Sequence, residues 1–101
     1  MKIYRHGDVL IAPVESIPDG CRKRSDLILA RGEATGHAHR VESNGLAELF
    51  DHGDELFLRI QGSPGRVVHE EHRAIELAPG AYKVWRQRQY DPLLESQIIE
   101  D

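Results

Sequence analysis

With 101 residues, 40% of them hydrophobic and 30% charged, the chain has the size and composition of a single globular domain rather than a disordered segment or a repeat array. Its formal charge of −4 excludes a chain-wide electrostatic grip on nucleic acid and leaves only local basic faces, Arg22-Lys23-Arg24 and the run from Lys83 to Arg88. Cys21 is the only cysteine, which excludes an intrachain disulfide and a Cys-based zinc site, and no apolar run reaches the length of a membrane span.

Helical periodicity is nearly absent. The apolar residues come in short runs closed by Gly, Pro, Asn or Asp, which is the pattern of strands and turns. Residues 8–14 predict a first strand that stops at Ile17-Pro18-Asp19-Gly20, where Pro-Asp-Gly supplies turn chemistry. Residues 27–30 predict a second. Residues 33–42 predict a third, interrupted at Gly36, where a bulge or a close backbone approach is expected. Asn44-Gly45 favours a tight hairpin into residues 46–50. A turn over 51–54 leads to a strand over 55–60, and a turn over 61–65 to one over 66–69. Residues 73–77 close on Ala78-Pro79-Gly80, and the longest strand runs over 81–89. The expectation is an all-β domain of about eight mostly antiparallel strands over residues 1–91, a small barrel or jelly roll. Residues 92–101 form a tail whose Leu93, Leu94, Ile98 and Ile99 exceed what a solvated tail needs. It suits a short helix, an added strand, or the contact of a homo-oligomer.

On a strand, residues i and i+2 share a face, so His37, His39 and Val41 point one way and Ala38, Arg40 and Glu42 the other. Two imidazoles one repeat apart can chelate a divalent metal if a neighbouring strand brings further ligands. His69 ends a predicted strand and His72 follows across Glu70-Glu71, so both reach one site if that turn curls back. Glu42, Glu70 and Glu71 can ligate or orient the imidazoles. With no cysteine in the set, an open site for zinc, iron, manganese or nickel is expected rather than a closed structural zinc. The same imidazoles, with an ordinary pKa near 6.5, can also act as general base and acid in a metal-independent ribonuclease supported by Arg40, Arg86 or Arg88. His6 and His52, each beside a glycine, are expected to be surface or satisfied core residues.

The last strand alternates Tyr82, Val84, Arg86, Arg88 and Tyr90 on one side with Lys83, Trp85, Gln87 and Gln89 on the other. Arg86, Arg88 and Tyr90 could hold a phosphate or stack on a base, and the plainer expectation is an edge strand whose charges deter edge-to-edge pairing. Arg22-Lys23-Arg24 is expected to be a solvated loop.

The string Gly32-Glu33-Ala34-Thr35-Gly36-His37-Ala38-His39-Arg40, then His69-Glu70-Glu71-His72, then Leu77-Ala78-Pro79-Gly80-Ala81-Tyr82-Lys83-Val84 resembles a family of small phage and bacterial proteins. The likeness extends over most of the chain and implies no particular activity. More loosely, Gly32, His37, His39 and Glu42, followed by Pro64, Gly65 and His69, are similar to the two motifs of the cupin superfamily, with altered spacing. That resemblance implies His37, His39 and His69 as metal ligands, with His72 or Glu42 as the fourth. The opening residues lack the apolar stretch of a secretory signal, so the expected location is the cytoplasm of a bacterium or of a phage-infected host. The leading expectation is therefore a metal-binding β protein, a metal-dependent hydrolase or another metalloenzyme. The alternatives are a metal-independent nuclease or nucleic-acid-binding module, and a phage accessory protein without catalysis.

Overall fold

Short apolar runs can bury their backbone polar groups only by pairing with one another, and this chain does so in two sheets. The computed structural model describes residues 2–32, 36–87 and 92, and the backbone of 98–100. Among them the strands are β1 (Ile3–His6), β2 (Val9–Val14), β3 (Arg22–Lys23), β4 (Ile28–Arg31), β5 (Ala38–Ser43), β6 (Leu46–His52), β7 (Glu55–Gln61), β8 (Gly65–Val68), β9 (Ile75–Leu77), β10 (Gly80–Arg86) and β11 (Ile98–Glu100). One sheet has the order β11-β1-β2-β10-β7-β6-β3, the other β4-β5-β8-β9. The first ten strands pair antiparallel, and β11 joins β1 in parallel. No helix forms over residues 2–32 or 36–87, and no helix of the described chain is long and apolar enough to cross a membrane.

The sheets face each other across one core. Val9, Ile11, Leu49, Leu58, Ile60, Tyr82 and Val84 of the larger sheet meet Leu29, Val41, Val67, Ile75 and Leu77 of the smaller. Side chains alternate along a strand, so the residues between these point outward. On β2 that places Leu10 and Ala12 on the outer face, with Ile3 and Trp85 in a second small cluster.

Each predicted run contains a strand, among the described residues the run over 33–42 only from Ala38 and the run over 81–89 only to Arg86, and five details differ from expectation. Each sheet ends on its own pair of edge strands, so the sheets do not close into a barrel. Asn44-Gly45 does not make a hairpin between paired strands: β5 pairs with β4 and β8, whereas β6 pairs with β3 and β7, so this turn carries the chain from one sheet to the other. Gly45 is required there because a Cβ would stand 2.3 Å from the Gln61 carbonyl oxygen. β10 is a central strand between β2 and β7 and not an edge, its Tyr82 and Val84 filling the core while Lys83 reaches Glu55 at 2.7 Å. Arg22 and Lys23 form β3 on the edge of β6, where Lys23 meets Glu48 at 3.0 Å and the adjoining Arg24 meets Asp51 at 2.8 Å. The bulge falls in β4, between Ile28 and Ala30, and not at Gly36, which precedes β5 with a positive φ of 75°. Of the expected tail, Leu93 and Leu94 lie outside the described residues.

Candidate metal centre

Antiparallel register brings the histidines together. Arg40 of β5 stands opposite Val68 of β8, and the next residue outward on each chain is His39 and His69. Their ring centroids are 4.4 Å apart. His72 lies in the segment that returns from β8 to β9, with its ring 4.7 Å from that of His69 and stacked on His39 at 5.6 Å. Ligand atoms of His39, His69 and His72 all fall within 4.8 Å of one another. A tetrahedral ion with nitrogens at 2.0–2.1 Å needs them about 3.4 Å apart, so a small inward closure of the three rings completes the geometry.

The larger sheet supplies the other wall. β1 and β2 are joined by Gly7-Asp8, with His6 opposite Val9, and Gly7 takes the positive φ of 64° that such a two-residue turn needs at its first position. A Cβ on Gly7 would stand 2.9 Å from both His39 Cε1 and His72 Nε2, so only glycine lets this turn lie against the imidazoles. His6, at the end of β1, is 2% exposed, with its Nδ1 2.8 Å from His39 Nδ1 and its Nε2 2.9 Å from the Arg73 carbonyl oxygen. Asp8 Oδ1 is 3.6 Å from His39 Nε2, and its Oδ2 accepts from Arg86 Nε at 3.0 Å.

Burial from water is the main reason the His39 pKa falls to about 4, and the neighbouring imidazoles of His6, His69 and His72 push it the same way against Asp8. His39 is therefore neutral at pH 7, the form that ligates metals. Glu70 is held as a carboxylate, its pKa drawn down to about 2 by its own backbone N–H, by Arg40 and by the Ala38 N–H. His69 Nδ1 accepts from the Glu71 N–H at 3.0 Å and so shapes the turn.

His37 precedes β5 and stands apart from the trio, with Nδ1 2.8 Å from Glu71 Oε1 and its ring 5.6 Å from that of His69. It forms an alternative set with His69 and Glu70. Arg40 points to the outer side and meets Glu70 at 3.1 Å. Glu42 is exposed farther along β5, beside Asn44, Pro64 and Arg66, away from the histidines. Arg86 bonds Asp8 and the Arg31 carbonyl oxygen; Arg88 and Tyr90 lie outside the described residues. His52 is a surface residue, 3.8 Å from Glu55. Sequence reasoning overlooked His6, Gly7 and Asp8 as parts of this cluster. A four-residue strand is too short to show a buried periodicity, and the only local signal was an imidazole beside a Gly-Asp turn.

The chain is thus a two-sheet β protein with five histidines gathered at one end. A family model described as Domain of unknown function (DUF8820) matches residues 5–87, and the chain belongs to that family. Comparison with curated proteins gave no match, and comparison with solved structures gave none either.

Proposed function

We propose that this chain binds one divalent metal ion through His39, His69 and His72 and uses it in hydrolysis. The observation that carries the reading is the approach of three imidazoles, from β5, the end of β8 and the β8–β9 segment, to within 4.8 Å in their ligand atoms. Three nitrogen ligands leave a coordination position for water or substrate, as in catalytic rather than structural sites. Imidazoles favour zinc, nickel or iron over the hard cations magnesium and calcium. A bound ion would supply Lewis-acid activation of water.

Each residue contributes in a definable way. His39 stays neutral because it is buried, so no proton competes for it at pH 7. Ligation by His69 gives up the hydrogen bond from Glu71, a cost of about 1 kcal/mol, small beside the roughly 10 kcal/mol that a zinc ion can return. The metal-free acid–base alternative is less well supported: a histidine with a pKa of about 4 is seldom protonated at pH 7 and makes a poor proton donor there.

Isothermal titration of chelator-treated protein with zinc, nickel, manganese and ferrous iron, paired with elemental analysis, tests the reading. One ion per chain is expected, lost in the His39→Ala/His72→Ala double variant and retained in Glu70→Gln, which removes a ligand from the alternative set only. The loaded protein should hydrolyse an activated phosphate or carboxylate ester, and chelator should abolish this. A wild-type chain that binds none of these ions refutes the reading.

A further inference from the structure

We infer that His6 is a positioning residue, fixing His39 in the tautomer whose Nδ1 carries the proton and whose Nε2 lone pair is free for a ligand. The role at the metal rests on the reading above; the tautomer itself does not.

With both rings neutral, the assignment follows from hydrogen-bond direction. A carbonyl oxygen only accepts, so His6 Nε2, 2.9 Å from the Arg73 oxygen, must be the protonated nitrogen. A neutral imidazole has one N–H, so His6 Nδ1 is an acceptor. Its partner at 2.8 Å is His39 Nδ1, which must then donate. The neutral His39 has no second proton, and its Nε2 is left as a lone pair on the side where Gly7 and the His72 Nε2 approach; Asp8 Oδ1, at 3.6 Å from that nitrogen, stands just beyond hydrogen-bond reach and does not claim a proton from it. Reversing the order would set a His6 N–H against a His39 N–H, or leave the Arg73 carbonyl facing a lone pair.

The chain Arg73 carbonyl, His6, His39 has the form of the outer partners that orient metal-ligating histidines, a carbonyl or carboxylate accepting from the nitrogen that does not ligate. Here the outer partner is a second imidazole. It reaches across from the larger sheet, since His6 ends β1 while His39 stands on β5 of the smaller one. At 2% and 4% exposure, neither ring can trade this bond for water.

The test is long-range proton–nitrogen NMR of the histidine rings in chelator-treated protein near pH 7.5, with zinc titrations on the same samples. Wild-type His39 should show a protonated Nδ1 and an unprotonated Nε2. His6→Phe keeps the ring volume and removes the acceptor, so His39 should lose the single tautomer and zinc affinity should fall about 10- to 100-fold. His6→Asn restores an acceptor near the Nδ1 position and should recover most of both. A wild-type His39 protonated on Nε2 overturns the inference, as does an unchanged tautomer in His6→Phe. Should His6→Phe not fold, the comparison of wild type with His6→Asn and His6→Gln decides, since Gln reaches past the Nδ1 position. Wild type that shows the assigned tautomer but binds no zinc, nickel, manganese or iron refutes the metal reading and leaves the tautomer lock standing.

Discussion

Acid should unfold the metal-free protein through His39 before its carboxylates titrate. In the unfolded chain this imidazole has an ordinary pKa near 6.5, whereas in the fold burial lowers it to about 4. Between those values the unfolded state binds a proton that the folded state does not, so stability is complete above about pH 7 and falls as the pH drops. Integrating the difference gives a loss of about 2 kcal/mol between about pH 7.5 and pH 5, and about 3 kcal/mol once the folded pKa is passed. At 4% exposure, solvent screening does little to reduce this figure. Urea denaturation in chelator across this range reads it as a midpoint shift of about 1–2 M. The control is His39→Asn, whose side-chain amide keeps a donor toward His6 Nδ1 without a titrating ring. Subtracting its pH slope from that of wild type isolates His39. Equal slopes in the two proteins refute the reasoning.

Two further outcomes follow from the packing. Gly7→Ala should lower stability by about 1 kcal/mol through the positive φ alone, and should weaken zinc binding at least tenfold, because its Cβ meets both His39 and His72 at 2.9 Å; calorimetry gives both numbers, and unaltered zinc binding would contradict the placement of this turn. Leu58→Ala, at a fully buried position between the sheets, should cost about 3 kcal/mol in urea denaturation while the number of bound ions stays at one.

The all-β character was legible in the chain because strand formation is written locally. Runs such as residues 9–14 and 55–61 are β-branched or alternating, and Gly, Pro, Asn and Asp close them. Of the face expected for His37, His39 and Val41, the part shared by His39 and Val41 was legible for the same reason, the two-residue period of a strand, whereas His37 falls before β5 begins. What lay beyond reach were the facts set by partners distant in sequence. Asn44-Gly45 has the composition of a hairpin, and only the competition between pairings sends β5 and β6 to different sheets. The charges on β10 suggested an edge, and it is Glu55 of β7, Asp8 of the β1–β2 turn and the Arg31 carbonyl oxygen that satisfy Lys83 and Arg86 in the middle of a sheet.

The histidine cluster divides in the same way. His37, His39, His69 and His72 could all be singled out by residue type and spacing, with His37 and His39 foremost, whereas the structure groups His39 with His69 and His72 and leaves His37 to an alternative set. Which of them converge was decided by the β5–β8 register, which sets His39 against His69, and by the return of the chain through His72. His6, 33 residues from His39, joined the cluster through the packing of one sheet on the other. Local sequence determines which residues can form strands and which side chains can carry chemistry, because those are properties of a few neighbouring residues. Their meeting depends on long-range pairing and core packing, and for this protein the site exists only where the two sheets close on each other.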